Sequence, residues 1–234
     1  MGYTVLFGPS SALVEATLLN EKLPYDPLAS FSPVTEVYKI SAGLSVSKQI
    51  SATNLKELVS LARSKPLTYS SFGIGTGPHL LLETFKHAAK IDILHVPYKG
   101  NVPGLTAVVS GEVHRTIRPY LESGALRLLA VAGDHESKHT PGVPTFSSLG
   151  YQGVSGGSLY IGVWLLAGTP DLIVTKMNEG IQGALASREF NEFLDRFAYE
   201  PAEATGPEKL ASFTRESIDR WRPIIERSGF AASK

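Results

Sequence analysis

The chain has 234 residues, enough for one large domain or two small lobes and for a sizeable buried core. Its 22 lysines and arginines balance 22 aspartates and glutamates, which excludes the electrostatic footprint of a nucleic-acid or acidic-membrane binder; a charged ligand must be held locally. With 43% hydrophobic and 19% charged residues the chain is not disordered, and without cysteine it has no disulfide, thiol nucleophile or thiolate metal site. Met1 to Pro9 has no basic start and its apolar run ends at Gly8-Pro9, so no signal peptide is read there. The most apolar stretch, residues 159–167, is far shorter than the about 20 residues of a membrane helix.

The β-branched and aromatic run at residues 3–7 predicts a strand, followed by a Gly8-Pro9-Ser10-Ser11 loop and a helix over residues 13–19. Prolines at 24, 27 and 33 force extended or turning backbone, and residues 34–46 then read as strand, broken at Ser41-Ala42-Gly43. Asn54 caps a helix over residues 55–64 whose apolar Leu55, Leu58, Val59 and Ala62 share one face. A strand at 67–71, a glycine loop, a helix at 80–89, a strand at 91–96, a helix at 103–109 and a strand at 126–132 follow. That alternation predicts parallel sheets covered on both faces. After a looser stretch with Pro141, Pro144 and several glycines, a strand at 160–167 leads to Gly168-Thr169-Pro170. These residues open a helix over 171–186, with Thr169 as cap and Pro170 in the first turn. Helices over 190–197 and 207–228 close the chain, the last carrying Leu210, Phe213, Ile218, Trp221, Ile224 and Ile225 at helical spacing.

The most informative segment for chemistry is Tyr69-Ser70-Ser71-Phe72-Gly73-Ile74-Gly75-Thr76-Gly77-Pro78-His79, between a strand and a helix. Its glycines let backbone approach a ligand, the amides of the helix start favour an anion, and Ser70, Ser71 and Thr76 offer hydroxyls. Without a lysine, and with no acidic ribose partner downstream, it matches neither the P-loop nor the dinucleotide fingerprint. An anion site and an ordinary turn capped by Thr76 both fit. Val96-Pro97-Tyr98-Lys99-Gly100 ends the next strand in the same way, with Lys99 either a countercharge or a solvated side chain. Among six histidines, His135 and His139 read as solvated loop, while His79, in the first helical turn, either donates to an anion or packs. No nucleophile elbow and no paired acid and base are visible, so no enzyme is expected and no cofactor is called for.

Taken in order, Leu23-Pro24-Tyr25-Asp26-Pro27, Phe31-Ser32-Pro33-Val34, the glycine loop, Val-Pro-Tyr-Lys-Gly, Gly142-Val143-Pro144-Thr145, Gly168-Thr169-Pro170 and Arg220-Trp221 make a pattern over nearly the whole chain. It resembles the Bug family of periplasmic solute-binding proteins, the receptors of tripartite tricarboxylate transporters. The resemblance implies an α/β fold of two lobes, of the type II binding-protein kind, closing over a small carboxylate that is aromatic, dicarboxylic or tricarboxylic. The lobes implied are residues 1–44 with 165–234, and residues 45–164, with crossing strands near 43–47 and 160–167. The carboxylate loop falls on Ser70, Ser71, Gly73, Gly75, Thr76 and His79, with Tyr98 and Gly100 bordering it. The implied partners are the ligand and the membrane components of the transporter, with no nucleic acid, and the implied location is the periplasm. Family members carry a signal peptide, a first strand and a proline- and glycine-rich loop ahead of the point where this sequence starts. Residues 111–120 are also shorter than the family's strand and aspartate-bearing loop. Lobe one is therefore expected to be incomplete and less stable, and carboxylate binding weakened; the alternative is a non-binding structural or interaction protein of the same fold.

Overall fold

The computed structural model describes residues 4–20, 22–71, 73–98, 111–112, 121–133, 135–154 and 159–228. In chain order the elements are β1 (Val5–Pro9), α1 (Glu15–Leu19), β2 (Phe31–Ile40), β3 (Ala42–Ser47), α2 (Leu55–Ser64), β4 (Thr68–Ser71), α3 (Gly77–Ala89), β5 (Leu94–Pro97), β6 (Gly111–Glu112), β7 (Leu126–Val131), β8 (Leu159–Leu166), α4 (Asp171–Leu185), α5 (Arg188–Phe197), β9 (Glu200–Pro201) and α6 (Pro207–Ser228). They fall into two units, residues 1–40 with 159–234 and residues 41–158.

The first unit is a sheet of order β1-β8-β2-β9 with every neighbour antiparallel. Alternation along β8 sends Val163 and Leu165 to one face and Tyr160 and Trp164 to the other. Val163 and Leu165 pack with Val34 and with Val174, Ile173, Met177 and Ile181 of α4. Tyr160 and Trp164 pack with Leu13, and with Leu210 and Phe213 of α6. Both faces are thus covered, which is why this strand is an almost unbroken apolar run.

Among the described residues of this unit, two carboxylates are buried. Glu36 lies on β2, and its Oε2 accepts from the amides of Glu203 at 2.9 Å and Ala204 at 2.6 Å, while Thr35 Oγ1 accepts from the Gly206 amide at 3.1 Å. Together they tie the segment between β9 and α6 to the sheet. Burial still pushes the Glu36 carboxyl up, although Ala204 N–H and Lys39 oppose it. Glu15, at the start of α1, is only 4% exposed, and burial raises it to about 7.

The second unit carries an antiparallel sheet of order β6-β3-β7 and a parallel pair, β4 and β5. Its core joins Leu44 and Val46 of β3, Leu55, Leu58, Val59 and Ala62 of α2, Leu81, Leu82 and Phe85 of α3, and Phe146. At the head of α2, Asn54 Oδ1 accepts from Glu57 N at 2.9 Å, and Glu57 Oε2 accepts from Thr53 N at 2.7 Å. Each side chain satisfies an amide with no acceptor inside the helix. Asn54→Ala should cost about 1 kcal/mol of stability; an unchanged urea midpoint would show that the cap contributes nothing.

The main departure from the sequence reading is strand direction, since among the described residues only β4 and β5 run parallel in a regular ladder. Parallel neighbours need a crossover connection, which α3 supplies between β4 and β5. Smaller differences are local. Pro9 stays in β1, an edge strand where the missing N–H costs nothing, and residues 10–12 form a 3-10 turn before α1. The break in the long strand shrinks to Ser41. Helix α3 begins at Gly77 rather than at 80, because a helix tolerates Pro78 in its first turn. Pro170 occupies the cap of α4 while Thr169 Oγ1 donates back to Leu166 O at 2.7 Å. The helix expected at 103–109 lies outside the described residues.

Candidate functional site

The loop between β4 and α3 is set by two glycines. Gly73 (φ +140°) and Gly75 (φ +78°) hold left-handed backbone that other residues rarely adopt. Thr76 takes the cap position of α3 with extended backbone, but its hydroxyl turns back, donating to Gly73 O at 2.8 Å instead of accepting from a helix amide. Thr76 is half-buried. Ile74 at the loop tip is 58% exposed.

Ser70, Ser71 and His79 are buried. Ser71 Oγ lies 2.7 Å from His95 Nε2 and 3.1 Å from Gly73 O, and it accepts from Gly73 N at 3.3 Å. His79 Nδ1 accepts from the Gly75 amide at 3.0 Å. The His79 ring is therefore turned inward, stacked on His95 with centroids 4.2 Å apart; Tyr69 stacks on His95 at 4.7 Å and lies 6.5 Å from His79. Tyr98 is brought beside the loop by the parallel ladder, its amide donating to Ser71 O at 3.0 Å. Phe72, Lys99 and Gly100 lie outside the described residues.

Beneath the loop the charges are paired. Tyr69 Oη donates to Glu83 Oε1 at 2.5 Å, and Lys86 Nζ meets the same oxygen at 2.9 Å. Burial, then the hydrogen bond to Glu83, raises the Tyr69 phenol. Burial, then His95 and Lys86, pushes His79 down to about 3, so it is neutral at physiological pH. Burial also lowers His95, with Glu83 opposing and Lys86 adding to the shift. Sequence reading passed over Tyr69, Glu83 and His95 as site residues. The one signal for them was that they sit on β4, α3 and β5, the elements flanking the glycine loop. Among the described residues no group of three or more His, Asp or Glu could hold a metal ion, and no helix is long and apolar enough to cross a membrane.

A neutral, preformed loop with glycine backbone and hydroxyls at a helix start suits an anion held by hydrogen bonds rather than by a countercharge. Residues 1–230 match the family described as tripartite tricarboxylate transporter family receptor. The chain is 29% identical to Protein BugT of Bordetella pertussis, over 97% of this chain and 72% of that protein. It is 30% identical to a UPF0065 protein of Cupriavidus necator over 91% of this chain and 66% of that one. Among solved structures it is similar to R. palustris Rpa4515 with adipate, at 28% identity and a TM-score of 0.86, covering 99% of this chain and 79% of that one. The periplasmic binding protein BugD shares the fold at a TM-score of 0.82 and 22% identity, covering 98% of this chain and 79% of that one.

Proposed function

This chain belongs to the tripartite tricarboxylate transporter family of receptors, and on that premise we propose that it binds a small carboxylate at the loop from Ser70 to Thr76 and delivers it to the membrane components of such a transporter. Membership makes it a solute-binding receptor of α/β periplasmic-binding-protein fold rather than an enzyme. The observation that carries the site is the β4–α3 loop, where Gly73 and Gly75 hold left-handed backbone and Thr76 sits at the head of α3. Adipate, held by the similar Rpa4515 structure, is the first ligand to try, and other dicarboxylates and tricarboxylates complete the panel. On this reading the two units, residues 1–40 with 159–234 and residues 41–158, are the receptor's lobes, and the protein works in the periplasm. His79 belongs to the site through Gly75, and Tyr98 borders the loop.

Thr76→Ala should weaken carboxylate binding by about 0.5–1.5 kcal/mol, the range of a lost neutral hydrogen bond. Titration calorimetry with adipate and the panel measures this, and amide chemical shifts map the site. Shifts confined to residues away from 70–79 would refute the assignment. Absence of binding across the panel would favour a structural or interaction role for the same fold.

A further inference from the structure

We propose that the stacked imidazoles of His79 and His95 are positioning residues for this loop, His79 fixing Gly75 and His95 fixing Ser71, so that the binding surface is formed before ligand arrives. The inference rests on the loop being the carboxylate site, and it assigns both rings a role beneath the ligand rather than against it. His79 Nδ1 accepts a hydrogen bond from the Gly75 amide at 3.0 Å, so it carries no proton itself and the ring must be the Nε2–H tautomer. Gly75 is buried, so without that acceptor its amide would be left unsatisfied. At the loop's other end Ser71 Oγ has one proton and two lone pairs, and three groups share them: His95 Nε2, Gly73 O and Gly73 N. His95 thus completes the set that holds the loop at Ser71 and Gly73. The 4.2 Å stack between the rings, backed by Tyr69 at 4.7 Å, couples the two clamps into one block. A loop ordered in advance does not have to be ordered by the ligand, which is how groups that touch nothing in the ligand raise affinity.

Conservative variants separate this role from packing. His79→Asn places Oδ1 where Nδ1 accepts, and His79→Phe keeps a ring but no acceptor; His95→Gln and His95→Phe form the matching pair. Hydrogen exchange of the Gly75 amide should be slow in the full-length wild type and in His79→Asn, and about tenfold faster or more in His79→Phe. Adipate affinity should fall about tenfold in either Phe variant and stay within about twofold of wild type in His79→Asn and His95→Gln. Equal losses in the Asn and Phe variants, or no loss in either Phe variant, would overturn the proposal. A ¹⁵N imidazole shift showing the proton on His79 Nδ1 in the wild type would do the same, whether or not the variants fold. If wild-type protein binds neither adipate nor any other acid of the panel, the ligand reading fails, and Gly75 exchange together with the imidazole shifts still decides whether the rings fix the loop.

Discussion

Glu15→Gln should leave the stability of the first unit unchanged at pH 4 and raise it by about 3 kcal/mol at pH 8. Burial holds Glu15 at about 7 in the folded chain against an ordinary 4.5, so the folded state binds the extra proton between those values. Stability is therefore untouched below 4.5, falls as pH rises towards 7, and stays low above it; at about 1.4 kcal/mol per pH unit the interval amounts to about 3 kcal/mol. The neighbours do not relieve the charge, since Tyr160 feels both Glu15 and Glu36 and its phenol is raised as well, chiefly by burial. The second unit should respond in the opposite direction. His79 sits at about 3 against an ordinary 6.5, so the unfolded chain takes the proton first. Stability there is full above 6.5 and is lost as pH falls towards 3, by about 2–3 kcal/mol at pH 4.5. Both tryptophans, Trp164 and Trp221, lie in the first unit, so their fluorescence in urea titrations reads that unit alone, and amide exchange resolves the other. Parallel pH trends in the two units, or a Glu15→Gln midpoint equal to wild type at pH 8, would refute the account.

What could be read from the sequence was what local residues decide. Helix α2 is legible because its cap, Asn54, and its buried face, Leu55, Leu58, Val59 and Ala62, all lie within one short segment. The glycine loop between β4 and α3 is legible for the same reason, as two left-handed glycines between a strand and a helix. Strand pairing was misread because it is not local: Gly43 pairs with Val131, and Phe31 with Leu166, and no nearby residue signals direction. The buried charges escaped notice likewise. Glu36 looks like the polar member of an alternating strand, and the amides that satisfy it, Glu203 and Ala204, come from the far end of the chain. The inward turn of His79 depends on where α3 begins. A start at Gly77, rather than three residues later, puts His79 on the side that faces His95.

Gly162→Ala should destabilise the first unit by about 3 kcal/mol and expose an indole. Residues 162 and 164 share one face of β8, and the Trp164 ring folds back along the strand over the space that Gly162 leaves. A Cβ at 162 would stand 2.9 Å from both Cζ2 and Cζ3 of that ring and closer still to Cη2, distances at which something must move. Neither partner yields cheaply. The strand is held on both sides, Gly162 pairing with Gly8 of β1 and with Glu36 of β2. The indole is 2% exposed and packed among Leu13, Tyr160 and Leu210. Overpacking a core costs about 1–3 kcal/mol, and displacing a buried aromatic about 3–5, which sets the expected loss. Emission from Trp164 should move to longer wavelength in the native state, because a displaced ring opens the packing around it to water. Trp164→Leu removes the obstacle, so adding Gly162→Ala to it should cost far less than in the wild-type background; additivity of the two losses would show that the ring is not what excludes a side chain at 162.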